Sequence, residues 1–543
     1  MSTTFSIDQN CHSLWDVLPK LHALARHGAK VTQFIEDIDV AFTQSGADVA
    51  SSDLRLAKEQ YHRGGTADWG AALFYSEFLG RLPMDVQNWE AYTGIKTSVL
   101  AKKLGCSVEQ LYGRYSPSDN WQLIGSSYVG DRDHHRTIAD LSVAETAPFV
   151  RQILAKARAN CLWVFPQKSC QDRLTEWFDR EDSLVNSLLA KCKQGRLVDL
   201  YKLWLASHVP GQVELRLTSD LLANKPEDPR TALLELFLRD YDQLAGIYNE
   251  SISETGVAIR PLDCSRGELP FFAAMEHHGH AVRCAAYLDG NQLRIGDRDY
   301  RLGGERKLPL ESMRAGGVTA VVGKALLLAI QARLGPDGGQ LALPYRGSEY
   351  MPAVHRLAGS FGQQGLLPGK LKPVRRIRFR LLDAMRDLNS VVRLPYHLRP
   401  CFGAHEVPAK IIGQQHQTLA MEASARLERF KDPNLRCKWQ SENSPQIVEE
   451  IDSLDNRRRK LASHDPKSSE IRQLGQRQKQ LSLELLGRLV DQIDRDAQVA
   501  EINYWDSRGG ILPWCIGLQG QQMYNRVVAE ADSYLETEET APP

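Results

Sequence analysis

The chain has 543 residues, with 67 Lys+Arg against 67 Asp+Glu, 42% hydrophobic and 25% charged. That length exceeds what one hydrophobic core usually serves, so two or three domains are expected, and the even charge balance excludes a global pull toward nucleic acid or an anionic membrane. No apolar run reaches the ~18 residues of a membrane span, the N-terminus lacks a secretory pattern, and the ten cysteines form no C-x-x-C pair, so a cytoplasmic, reducing setting is expected.

Residues 14–115 read as largely helical, from the apolar spacing of "LWDVLPKLHALARHGAKVTQFIEDI" and "TSVLAKKLGCSVEQLYGRY". Then "WQLIGSSYV" (121–129) predicts a buried strand running into the polar turn "GDRDHHRT". A helix (143–160), a strand "CLWVF" (161–165) and a second helix "DRLTEWFDREDSLVNSLLAKC" follow. This alternation is the rhythm of a parallel α/β sheet. One long helix is expected in "PRTALLELFLRDYDQLAGIYNESIS", and a strand in "GVAIRPL".

The stretch "MEHHGHAVRC" contains His277-His278-Gly279-His280, which fits the H-x-G-H pattern of class I adenylate-forming enzymes. That signature works where a strand meets a helix N-terminus. Here "LPFFAAM" leads into the histidines and "AVRCAAYL" leads out, so the residues predict strand, tight turn, strand, with Gly279 at positive φ. Asp289-Gly290-Asn291 marks a further hairpin turn.

Beyond the hairpins, 316–335 reads as a glycine-bounded helix around Lys324. "GGQLALPYRGSEYMPAVHRLAGSFG" reads as strand, polar turn and helix. The basic strip 370–380 alternates as an edge strand with one wet face; lacking a larger patch with stacking aromatics, it is not read as a nucleic-acid surface. In 443–500, Ile447, Ile451, Leu454, Leu461 and then Ile471, Leu474, Leu481, Leu485 fall at a/d-like spacing on either side of Asp465-Pro466. That pattern is an antiparallel coiled-coil hairpin. The tail "YLETEETAPP" is acidic and expected to be disordered.

The fold class is therefore α/β: a Rossmann-like parallel-sheet core with a helical N-terminal region, a small β-hairpin subdomain and a C-terminal coiled-coil arm. The boundaries are a helical N-terminal part (1–118), a Rossmann-like α/β part (119–260), a β-hairpin segment (261–310), a second α/β part (311–440), the arm (441–502), and a C-terminal return with its acidic tail (503–543).

Three stretches carry candidate chemistry. Asp131, Asp133, His134 and His135 follow a predicted buried strand, where carboxylates and imidazoles move protons or bind a cation; the alternative is a solvated loop capping the next helix. No Cys/His/Asp cluster elsewhere has metal-ligand spacing. Lys324 follows a glycine but lacks the Walker context, since Ala325 comes next; it meets a phosphate or carboxylate, or is a surface lysine. Tyr345, Arg346, Glu349 and Tyr350 offer either an oxyanion-binding turn with aromatic walls or an Arg–Glu pair that organises its own loop.

In this order of parts the chain resembles the cysteine ligases of bacillithiol synthesis. "SSYVGDRDHHRTI" is similar to that family's buried strand and E-D-H-D motif, and "LALPYRGSEYMPAV" to its strand and G-P-x-E turn, with "GVTAVVGKALLLAIQ" between them. It departs from the family at the N-terminal T-G-Q-Q signature, and Lys324 stands in place of the S-P-N context. The resemblance implies a ligase joining an amino acid, cysteine in that family, to a small sugar-derived acceptor, with ATP or ADP as the nucleotide to test. Asp131, Asp133, His134 and His135 then serve proton transfer, and Lys324, Tyr345, Arg346 and Glu349 position substrates. The alternative is a non-catalytic assembly protein that forms a homodimer or docks a partner through its arm.

Overall fold

Near the N-terminus, TTFSI and KVTQFI carry the β-branched and aromatic residues that suit a pleated, half-buried surface. They form strands β1 (Thr3–Ile7) and β2 (Lys30–Ile35), with helix α1 (Val17–Arg26) crossing between them. The computed structural model describes residues 3–7, 12–13, 15–26, 28, 30–39, 67–68, 73–82, 86–106, 121–124, 128–129, 135–257, 259–335, 339–348, 350–507 and 510–536.

A short strand β3 (His135–Arg136) precedes helices α2 (Val143–Val164), α3 (Lys168–Lys191) and α4 (Leu197–Ala206), then strand β4 (Val213–Leu217). Helices α5 (Pro229–Arg239) and α6 (Tyr241–Thr255) lead to β5 (Glu268–His277), β6 (His280–Asp289), β7 (Gln292–Ile295) and β8 (Arg298–Arg301). Then come β9 (Val318–Gly323), α7 (Ala325–Gln331), β10 (Gln340–Pro344), α8 (Met351–Gln363) and β11 (Val374–Arg378). Helices α9 (Ala409–Lys431), α10 (Pro445–His464) and α11 (Ser469–Ala500) precede the closing strand β12 (Asp532–Leu535).

The central sheet has the order β12-β11-β10-β1-β2-β4. Every pair is parallel except β12, which runs antiparallel on β11. In chain order the five parallel strands stand third, second, first, fourth, fifth, so the direction of travel reverses between β1 and β10. Alternation along the strands feeds two cores. Val31, Ile35, Ala342 and Ile377 join the helices α1 to α4 on one face, while Phe5, Ile7, Phe34, Leu341 and Leu343 join α5 to α8 and the second sheet on the other. That second sheet is antiparallel, β8-β7-β6-β5-β9, with β3 beside β6.

Several expectations are corrected. Cys161–Phe165 is not a strand: α2 runs to Val164 and stops before Pro166. A short apolar run serves a buried helix as well as a strand. Across 143–206 the chain is therefore a run of helices, α2 to α4, not an alternation of strands and helices. The strands at Trp121–Ile124 and Tyr128–Val129 pair antiparallel with Leu73–Ser76 and Ala67–Asp68, away from the parallel sheet. The helical expectation for 14–115 holds at α1, Val86–Thr93 and Thr97–Lys103, but Lys30–Ile35 is a strand. The 229–255 helix breaks in two at Asp240, and the described residues of 256–262 carry no strand, since Gly256 (φ 64°) ends α6 in the left-handed conformation.

The glycine-bounded helix around Lys324 is strand β9 followed by α7, because VTAVV is β-branched. The basic strip is not an edge strand: β12 returns to cover β11, and Arg376 is buried against Glu536. Tyr534 and Leu535, expected in a disordered tail, lie in β12. Two helices flank Asp465-Pro466, α10 ending at His464 and α11 starting at Ser469, and part of α11 packs beside α9. Among the described residues no helix is long and apolar enough to cross a membrane.

Candidate functional site

Strand β2 ends in Ile35-Glu36-Asp37-Ile38-Asp39, so three carboxylates leave the carboxyl edge of the sheet together. Glu36 is 3% exposed. It accepts the Ile38 and Asp39 N–H groups at 2.9 and 3.0 Å, an Asx-like local turn. Burial pushes its carboxyl well above the ordinary value, and the charges of Asp39 and Asp37 add to this. Asp37 accepts the Ser219 N–H at 2.9 Å and the Ser219 hydroxyl at 2.6 Å, which ties β2 to the segment after β4. Asp39 forms an ion pair with Arg283 of β6, whose guanidinium also lies 3.7 Å from the Phe272 ring centroid.

The second sheet closes over this edge. His135 and Arg136 pair along Arg283 and Val282. Asp140, 1% exposed in its side chain, collects the Arg136 guanidinium, the Ala281 N–H at 3.0 Å, and His280 Nδ1 at 3.0 Å when that nitrogen carries the proton. Arg196 reaches its main-chain oxygen at 2.7 Å. Burial alone would raise the Asp140 carboxyl, but the hydrogen bonds from Arg136, Ala281 and His280 outweigh it and hold the group below its ordinary value. An ionised, fully bonded Asp140 thus stands close in the fold to a Glu36 held toward its neutral form. Two carboxyls driven apart in this way are a means of separating acid from base roles.

Across the end of β1, strand β10 runs out at Pro344 into Tyr345-Arg346-Gly347-Ser348. The Tyr345 N–H donates to the Ile377 carbonyl at 2.8 Å, and Arg378 stacks over the Tyr345 ring at 4.6 Å. Arg346 is ion-paired with Glu501 at the end of α11. Arg376 braces the turn from below: its guanidinium donates to the Pro344 carbonyl at 2.9 Å and to the Gly347 carbonyl at 2.5 Å. Asp506, 0% exposed, accepts the Leu382 N–H at 3.0 Å, with Arg378 3.7 Å away.

Of the residues singled out from sequence, Asp131, Asp133, His134 and Glu349 lie outside the described residues. His135 is placed by its backbone on β6. Tyr345 and Arg346 stand at the carboxyl edge as described. Lys324 does not reach that edge in the open. Its ammonium lies 2.7 Å from Glu268, which also holds Arg260 at 2.6 Å, and a phosphate would have to displace Glu268 to reach it. Burial lowers the Lys324 ammonium from its usual value, and Glu268 opposes the shift. His280, read only as a turn residue, is the imidazole that meets Asp140. Glu36, Asp37, Asp39, Asp140 and Arg283 were missed, although acids in "FIEDID" directly after a β-branched strand were a readable signal. Among the described residues, no three His, Cys, Asp or Glu side chains are grouped to hold a metal ion.

The class this defines is a mixed α/β protein with a polar cluster at the carboxyl edge of a parallel sheet. Compared with known proteins, the chain matches no family model, no curated protein and no solved structure.

Proposed function

We propose that the chain is a ligase-like enzyme that binds its substrates at the carboxyl edge of a Rossmann-like sheet and joins an amino acid to a small sugar-derived acceptor. The observation that carries this reading is the reversal of strand order between β1 and β10. In open parallel sheets, ligands occupy the crevice at such a reversal. Here the Glu36–Asp39 acids leave on one side of β1, and the Tyr345–Ser348 turn leaves on the other, two strand spacings or about 10 Å apart. Cysteine as the amino acid, and ATP or ADP as the nucleotide, rest on the resemblance of "YVGDRDHHRTI" and "LALPYRGSEYM" to the bacillithiol cysteine ligases. In this reading Asp131, Asp133, His134 and His135 move the protons, Tyr345, Arg346 and Glu349 hold substrate, and Lys324 sets the ends of β5 and β9 through Glu268.

The test is mass spectrometry of purified protein incubated with cysteine and an amino sugar, with and without ATP and magnesium. The wild type is expected to form a condensed product. Asp133→Ala or His134→Ala should cut it by about a hundredfold or more, the usual scale for loss of a general acid or base, at an unchanged melting temperature. No product under any condition, or full product from both variants, rejects the assignment.

A second reading, assembly through a coiled-coil arm, is favoured by one observation. Ile447 is the one buried residue of α10, and Ile451, Leu454 and Leu461 stay half-covered along its seam. A second copy covering that seam makes a homodimer. Sedimentation should then give a dimer that Leu454→Glu with Leu461→Glu dissociates; a monomer at every concentration discards it.

A further inference from the structure

The end of the second sheet remote from the carboxyl edge carries another polar hollow, of about 500 Å3. Four stretches separated in sequence meet there: Tyr241 and Asp242 at the start of α6, the turn at Arg266, the β6–β7 hairpin with Asp289 and Arg294, and Arg306. The backbone is tightly fixed. The Leu288 N–H donates to the Gly267 carbonyl at 2.8 Å, and a side chain on Gly267 (φ 67°) would run into the Leu288 carbonyl.

Arg266 and Arg294 each lie 5.3 Å from the centroid of the Tyr287 ring, which orients both guanidiniums. Arg306 is anchored on the Leu238 carbonyl at 3.0 Å. Both Arg306 and Glu305 sit at φ 55°, a conformation that side-chain-bearing residues adopt rarely and that persists where the surroundings impose it, often at ligand clamps. Among the described residues no carboxylate stands within ion-pair distance of Arg294 or Arg306. Three guanidiniums line the hollow beside Asp242 and Asp289, and the charge of Asp263 faces Arg266 alone of the three. The guanidinium fork matches the oxygens of a phosphate, and ionised carboxylates accept from hydroxyls.

We propose that this hollow binds a small phosphate monoester of a polyhydroxylated compound, its phosphate on Arg266, Arg294 and Arg306 and its hydroxyls on Asp242 and Asp289. The site is separate from the carboxyl edge and does not depend on the ligase reading. Isothermal titration of the full chain with glycerol 3-phosphate tests it, with glycerol as the neutral control. One-to-one binding of the ester and none of glycerol is expected. Arg294→Gln and Arg306→Gln should each weaken it roughly tenfold, the scale of one charge-assisted hydrogen bond, while Arg459→Gln on the exposed face of α10 leaves it unchanged. Arg306 braces a turn, so its variant is open to misfolding. Arg294, whose contact is the Tyr287 ring, keeps the test decisive. Absence of ester binding overturns the proposal, and so does an Arg294→Gln protein that binds as tightly as wild type.

Discussion

Arg376 sits 1% exposed in the middle of a strip whose alternation pointed to a wet face. Its two arms meet Glu536 at 3.0 Å each, and that carboxylate stands 160 residues further along the chain. Alternation told which residues share a face but not what would cover it, because the cover comes from a distant return strand. Asp506 presents the same problem in a form that can be measured. Burial pushes its carboxyl up to about 7, against the pull of the Leu382 N–H and Arg378. The folded chain therefore keeps a proton there that the unfolded chain releases near pH 4. Stability from this group falls as pH rises from about 4 to about 7 and is level above that. Urea unfolding of Asp506→Asn should show a stability gain over wild type that grows across this window and then stays constant. A difference independent of pH would contradict the assignment.

At the scale of elements, local turn chemistry was readable and short apolar runs were not. The His277–His280 turn is the two-residue hairpin that the glycine implied, with His278 at φ 50° and Gly279 at φ 82°. Left-handed conformation at both central positions is the type I′ pattern, which favours Asn-Gly. His278→Asn should then stabilise the chain by a few tenths of a kcal/mol up to about 1, and Gly279→Ala should cost about 1–2 kcal/mol, both read from denaturant midpoints. The opposite order would mean that the turn is not held as described. By contrast, CLWVF continues a helix and VTAVVG forms a strand. Length and flanking residues do not separate those cases until the packing partner is known. Lys324, expected within a helix and against a phosphate or carboxylate or else on the surface, stands at the β9–α7 junction and pairs with the Glu268 carboxylate.

At the scale of the molecule, the parallel sheet gathers strands from residues 3–7, 30–35, 213–217, 340–344 and 374–378. An α/β class could be read from the strand, turn and helix of 340–363 but not from 121–165, where the expected rhythm is absent, and the order of strands could not be read, because long segments lie between neighbours in the sheet. The same distance hid half of the candidate site. The acids after β2 and the arginine on β6 are over 200 residues apart in sequence and form one ion pair in the fold (244 apart for Asp39 and Arg283). We propose that a nucleotide and substrates bind at this edge. Hydrogen exchange followed by mass spectrometry, with ATP or ADP and magnesium added to the full chain, tests it most directly. Slowed exchange is expected in 36–39, 135–140, 280–283 and 345–348 together. Unchanged exchange in all four segments, or protection confined to the α10–α11 hairpin, would contradict it.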